Sequence, residues 1–278
     1  MLKPRAITID RDDRLFIADT TGRIQCFDAD GSYLFHWRTP EAANGRPTGL
    51  GYHRGNSIAE DRILVADTHY YRVLTYRTDG TLDRHGTIGG AAGSEPGQFA
   101  FVTDVATDAD GCRYVGEYNA SDRIQKFDPD GRFVCSWGGT GTREGEFIRP
   151  QSLMVRDRVL YVADACNHRV QRFDLARDVP ELMDVWGVMG SDAGQLFYPY
   201  GLDFTADGDL LVVEYKNARV QRFAGDGRLR ESWGDRGSWG GPGFDAGRLN
   251  QPWGLVIDSL GRVHVLDSNN HRVQRFHA

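Results

Sequence analysis

No stretch of this chain stays apolar for the roughly 20 residues that a membrane helix needs, so no membrane association is expected. No segment holds a sustained period of 3.6 residues, which leaves little room for helices. Cysteine is sparse. Cys26, Cys112, Cys135 and Cys166 show no C-x-x-C or related spacing, which argues against both a zinc site and a disulfide framework. Positive charge is also short: 33 Lys and Arg against 39 Asp and Glu give a formal charge of −6, which speaks against a protein held mainly by nucleic-acid phosphates. G-x-S-x-G, a Walker loop and a dinucleotide fingerprint are all missing. The opening MLKPRAITID enters a strand at once and shows no secretory leader. With free thiols, that sets the expectation of a cytoplasmic protein, or a periplasmic one if a leader precedes this stretch.

What the chain has is a refrain. HRVQRF occurs at His168–Phe173 and at His271–Phe276, ARVQRF at Ala218–Phe223 and DRIQKF at Asp122–Phe127. Looser copies are GRIQCF from Gly22 and YRVLTY from Tyr71. The arginines Arg23, Arg72, Arg123, Arg169, Arg219 and Arg272 are spaced by 49, 51, 46, 50 and 53 residues. A period of this size marks one supersecondary unit repeated.

Residues Gly194 to Gly234 illustrate the unit. A Gly-rich approach leads to an apolar run, Gly201 to Phe204, an Asp-Gly turn, LLVVE, the turn YKNA, ARVQRF, a second Asp-Gly turn and RLRESWG. Four short β-rich runs bounded by turn residues read as an antiparallel meander, strands a to d. Strand b ends on an acid in every copy: Asp19, Asp67, Glu117, Asp164, Glu214 and Asp267. Strand d is expected to end near Trp37, Ile88, Trp137, Trp186 and Trp233. Four-stranded sheets repeated radially make a β-propeller. The expected fold is therefore all-β, a single six-bladed domain over residues 1–278, with blades at about 1–38, 39–89, 90–138, 139–187, 188–234 and 235–278. The last copy stops after strand c, and only Met1 to Lys3 precede the first, so the sixth blade is expected to be three-stranded. Its outer edge would be a liability or a pairing site, including for a homodimer.

The pattern Pro-x-Gly, VAD, NHRVQ-F, Asp-Gly, Trp-Gly resembles the NHL repeat, with Asn167-His168 and Asn270-His271 at the turn that names it. The resemblance covers essentially the whole chain and implies the propeller fold. It does not fix function, because one fold hosts unrelated activities. Members similar to it include an amidating lyase and streptogramin lyase, which place histidines and a divalent metal at the channel, and TRIM-NHL proteins, which bind RNA on a positive face.

Strand a should line the channel, so aligning the repeats names its mouth. Just after the proline position stand Arg5, Thr48, Thr103, Gln151, Tyr200 and Trp253; just before it stand Lys3, Arg46, Phe101, Arg149, Tyr198 and Gln251. Six unlike residues in six like repeats mark the expected binding surface. Blade three departs furthest, with Asp104 where others carry a small residue. Arg5, Arg46 or Arg149 are its expected partners. Blades three and five read Glu117-Tyr118 and Glu214-Tyr215 after strand b. These acids either reach the channel or satisfy turn N–H groups and the repeated Arg. Candidate catalytic groups are thus Asp104, Glu117, Glu214, Tyr200 and Arg149. Tyr198, Tyr200, Trp253 and Phe101 are a candidate aromatic wall, and the connection from Asp235 to Asn250 a candidate lid.

None of the eight histidines stands at the aligned mouth, which weighs against a histidine-held zinc. No cofactor is required; a calcium or magnesium ion on Asp104 and Glu117 is allowed. Two functional readings follow. One is a scaffold that binds a protein or small ligand at the channel mouth. The other is a metal-assisted lyase or hydrolase acting there on a small molecule. The acids near the mouth and the net charge weigh against nucleic acid.

Overall fold

The computed structural model describes residues 1–230 and 238–277. Six antiparallel sheets follow one another along the chain, five of four strands and a last one of three, each in the order a, b, c, d. Each strand a lies beside the strand a of the next blade, and the sixth lies beside the first, so the ring closes around a central channel. The strands a are Pro4–Ile9, Gly49–His53, Phe101–Thr107, Pro150–Arg156, Pro199–Phe204 and Leu255–Ile257. Among the described residues, no helix is long and apolar enough to cross a membrane. All four cysteines are free.

The core is divided among the blade boundaries. Ala6, Phe16 and Ile24 of blade one pack on Leu50, Ile63 and Leu74 of blade two, and the same arrangement recurs around the ring. This is what period-2 strands stacked as sheets require, since each blade has two apolar faces.

The refrain explains itself in blade four. The Asp164 carboxylate, fully buried, accepts from Arg169 Nε at 2.8 Å, Gln171 Nε2 at 3.1 Å, Asn167 Nδ2 at 2.8 Å and the Ile148 N–H at 2.8 Å. Arg169 and Gln171 also donate to the carbonyls of Thr142, Arg143 and Glu146 in the loop entering the same blade. Arg and Gln two residues apart point to one side of the strand, so both reach the acid and the loop. Blade five repeats the set around Glu214 and blade six around Asp267. In blade two Leu74 stands where the others have Gln, and one oxygen of the buried Asp67 has no partner. The refrain's histidines have another task. His168 Nδ1 accepts the Tyr198 N–H at 3.2 Å and His271 Nδ1 accepts the Lys3 N–H at 3.0 Å, each clasping the following blade.

Trp residues seal the boundaries from the outer strand. Trp37 packs under the c–d turn of blade two, where a Cβ on Gly80 would lie 2.9 Å from its ring. Trp186 packs under blade five, 2.5 Å from the same point on Gly227. Both glycines have positive φ, +88° and +85°, so the turn asks for glycine twice over.

Two expectations are corrected. Strand d of blade five is Ser238–Gly240, with Trp239 opposite Val220, so it ends beyond the expected Trp233. The chain reads SWG twice, at 232–234 and 238–240, and the strand pairs with the second; Trp233 lies outside the described residues. The blade therefore ends near Gly240 rather than Gly234. The expected lid is also not special. Residues 241–250 form the same loop that enters blades three, four and five, closed by the bridge Pro242 to Leu249 just as those are by Ala92 to Phe99, Thr140 to Phe147 and Met189 to Leu196. Residues 235–237 of that stretch lie outside the described residues.

The sixth blade is three-stranded, Leu255–Ile257, Arg262–Asp267 and Arg272–His277. It joins blade one through side chains and turns. The Ser268 hydroxyl donates to the Pro4 carbonyl at 2.6 Å, and Asp13 accepts from the Ser259 N–H at 2.9 Å. Asp30 takes Arg262 at 3.0 Å and Arg275 at 3.3 Å.

Candidate functional site

The channel encloses about 260 Å³ and is lined by all six strands a. Its mouth is set by an unusual local conformation. Lys3, Arg149, Tyr198 and Gln251, each just before its strand's proline, have φ between +43° and +64°. Non-glycine residues seldom take this region. Here the N–H of Lys3, Tyr198 and Arg149 is caught by a side chain of the previous blade, His271, His168 and Asp122 respectively.

Five of the expected ring residues, Arg5, Thr48, Gln151, Tyr200 and Trp253, line the channel. An aromatic wall occupies one side. Tyr200 stacks on Tyr215 at 4.7 Å and meets Trp253 edge-on at 4.9 Å, and Tyr215 meets Trp253 at 5.7 Å. Tyr198 touches Tyr200 at 6.3 Å. Opposite, Phe101 packs on Tyr118 at 5.5 Å. Two cations lie over these surfaces. The Arg5 guanidinium lies 4.0 Å from the centre of the Trp253 ring. Arg149 lies 4.9 Å from Tyr118 and 5.4 Å from Tyr200, its Nε donating to Gln151 Oε1 at 2.8 Å.

Among the described residues, neither guanidinium meets a carboxylate. That sets them apart from the arginines of the refrain, which are all tied to strand b acids. Burial lowers the Arg5 pKa, and the positive charge of Arg149 lowers it further. Burial likewise pushes the Tyr200 phenol up to about 12, so it stays a neutral donor. The Trp253 indole N–H is buried without an acceptor. A desolvated cation with no counter-ion is costly, and a guanidinium held over a ring keeps its in-plane donors for another acceptor.

The other sequence candidates, and Thr48 on the channel wall, are tied to the scaffold. Arg46 is anchored to blade one by the carbonyl of Thr20 at 2.9 Å. Thr48 pairs with Thr68 at 2.7 Å, and the buried Thr103 donates to the Pro150 carbonyl at 2.5 Å. Gln251 accepts from Asn269. Glu117 and Glu214 turn away from the channel. Glu117 accepts from the Ala100 N–H and from Arg123 at 2.5 Å, and Glu214 from the Phe197 N–H at 2.9 Å and Arg219 at 2.6 Å. What the Glu-Tyr variants bring to the mouth is the tyrosines, Tyr118 and Tyr215.

Asp104 lies inside the channel, and none of the three expected arginines reaches it. Its Oδ2 accepts the Leu153 N–H of blade four at 3.0 Å. The nearby Val105 N–H and Ser152 hydroxyl also favour its charged form, but burial dominates and raises its pKa to about 7. Sequence reasoning missed its companion. Asp203 accepts the Ile257 N–H of blade six at 2.7 Å and is raised by burial to about 6. The equivalent positions hold Thr8, Gly51, Ala106, Met154 and Val256, so a carboxylate there was a signal open to counting.

Asp104 and Glu117 do not assemble a metal site. Among the described residues no three His, Cys, Asp or Glu side chains are grouped to hold an ion. A divalent metal of the kind the lyase resemblance implies does not fit these residues.

Comparison with known proteins agrees with the architecture. The NHL repeat family description matches residues 147–173 and 249–276. The chain is 28% identical over 144 residues to Protein brain tumor of Drosophila melanogaster, covering 51% of this chain and 12% of that protein. It is 28% identical over 186 residues to human NHL repeat-containing protein 3, covering 62% of this chain and 50% of that protein. The chain therefore spans half or less of the curated relatives it matches. Among solved structures, a streptogramin B lyase superposes with a TM-score of 0.63 at 12% identity, covering 97% of this chain and 77% of that one. At that identity the likeness concerns fold. Two segments of the chain match the NHL repeat, and the chain folds as a six-bladed β-propeller.

Proposed function

We propose that this propeller is a binding protein whose channel mouth captures a small organic anion with a flat or apolar body. The observation that carries this reading is the pair Arg5 and Arg149, brought together over aromatic faces without a carboxylate partner. A carboxylate or phosphate would complete their hydrogen bonding, and the Tyr200, Tyr215 and Trp253 faces would cover its body. Apolar walls with a few convergent polar groups are the usual design of a small-ligand site. The metal-assisted lyase reading is less well supported, because the mouth offers cations and aromatic rings rather than metal ligands.

Phenyl phosphate and benzoate, with neutral benzyl alcohol as control, test the proposal. The anions are expected to raise the melting temperature in a concentration-dependent way, since a ligand at 100 times its Kd stabilises by about 2.7 kcal/mol. Benzyl alcohol should do nothing. Arg5→Gln and Arg149→Gln, checked for native circular dichroism, should each abolish the shift. Equal shifts from the anions and the alcohol, or from the wild type and both variants, would overturn it.

A further inference from the structure

Below the two arginines the channel carries the opposite sign. Each strand a contributes one residue to each layer of the wall. One position further in than the ring of Arg5 and Tyr200 stand Ala6, Gly49, Asp104, Ser152, Gly201 and Gly254. Asp104 is the one ionisable group of that layer, and glycine makes room for it: a Cβ on Gly49 would lie 2.7 Å from Asp104 Oδ1. Its carboxylate reaches the Leu153 N–H, two residues past Gln151 on strand a of blade four. At about 3.3 Å per residue, that places it about 7 Å below the ring, where Gln151 accepts from Arg149. Part of the Asp104 surface stays open to the channel. Among the described residues no cation pairs with it and no charged group offsets its burial, whereas Arg156 lowers Asp203. The N–H and hydroxyl groups around Asp104 are thus set for a carboxylate whose counter-ion the protein does not supply.

We infer that the ligand is bipolar: its anionic group stays at Arg5 and Arg149, and an ammonium at the other end of its body descends the channel to Asp104. The inference rests on the anion-binding reading above and narrows it to amino acids whose two charges stand at opposite ends of a flat body. The order of the charges follows from the wall, cations at the mouth and a carboxylate within. An ammonium presents three donors and no acceptor, and Asp104 with the Ser152 hydroxyl beside it offers oxygen acceptors at that depth. A charge-assisted bond there is stronger than one from a neutral hydroxyl. It also relieves the desolvated carboxylate, whose cost otherwise falls on the folded protein. Gly49, Gly201 and Gly254 leave the layer between mouth and acid without bulk, so a ring standing upright can pass.

The test titrates 4-methylbenzoate, 4-(hydroxymethyl)benzoate and 4-(aminomethyl)benzoate into the protein by calorimetry at pH 8, where Asp104 is ionised. The amine is expected to bind at least tenfold more tightly than the methyl compound, and the alcohol within threefold of it. In Asp104→Asn, checked for native circular dichroism, the gap between amine and methyl compound should close to less than twofold. In Asp203→Asn it should persist, because the Ile257 N–H that Asp203 holds lies four residues past Trp253, beyond the reach of a single ring. If the methyl compound binds and the amine gains nothing, the inference is overturned while the anion site stands. A gain equal for hydroxyl and ammonium, or one that survives Asp104→Asn, overturns it too. If none of the three compounds binds, the anion-binding reading falls and this inference with it.

Discussion

Asp164→Ala is expected to lower the unfolding free energy by about 3–5 kcal/mol, the range for breaking a buried ion pair from one side. The variant leaves Arg169, itself buried, without its carboxylate. It also strips an acceptor from Gln171, Asn167 and the Ile148 N–H. Unpartnered donors in a site closed to water carry the cost, more than the lost attraction does. Burial raises the pKa of Asp164, so its charge is held against a desolvation penalty. Replacing Asp164 and Arg169 together with apolar residues should accordingly cost less than the two single changes summed. Blade two supplies an internal control. Asp67 already has one oxygen without a partner, and Leu74 offers no amide to the oxygen that Arg72 holds, so Asp67→Ala should cost clearly less than Asp164→Ala. Chemical denaturation followed by tryptophan fluorescence measures all three. A loss below 1 kcal/mol for Asp164→Ala would show that the refrain is not what holds the blades.

Raising the pH from 5 to 8 should cost the wild type about 3–4 kcal/mol that an Asp104→Asn, Asp203→Asn variant does not lose. Both carboxyls are enclosed in the channel, and burial lifts them to about 7 and about 6. The folded protein then holds protons that the unfolded chain, with ordinary carboxyls near 3.9, has released. Their contribution is complete below that lower value and disappears as pH rises through 6 and 7. Asparagine mimics the neutral acid, since its carbonyl still accepts from Leu153 or Ile257 and its amide replaces the acid proton. The histidines pull the other way. Burial lowers His53, His168 and His264, so they favour the folded state as pH rises through the usual imidazole range. They are common to both proteins and cancel in the difference. Parallel slopes of stability against pH for wild type and variant would refute the assignment.

The blades and their faces were legible because the refrain repeats chemistry as well as spelling. Acid, arginine and glutamine at fixed offsets can meet only if the strands pair as they do. The unlike residues after each proline could be placed at the channel for the same reason. What escaped was local competition between equals. Blade five spells SWG twice, and nothing short of pairing geometry puts Trp239 opposite Val220. Glu117 and Glu214 read like Asp with added reach, yet the extra methylene is absorbed in meeting Arg123 and Arg219. Asp203 was hidden because a single acid between Leu202 and Phe204 fits an ordinary alternating strand.

The three-stranded sixth blade has a further consequence for how the molecule comes apart. Among the described residues, blade six of the hoop meets blade one through turns, a few side chains and the Asp30 clasp. Arg5 hangs from the first blade and Trp253 from the last, so the mouth sits astride that fastening. An anion gripped there would act as a pin through the clasp. Occupancy would then govern the rate at which the hoop springs open, and a protease would find its first cut where the pin is missing.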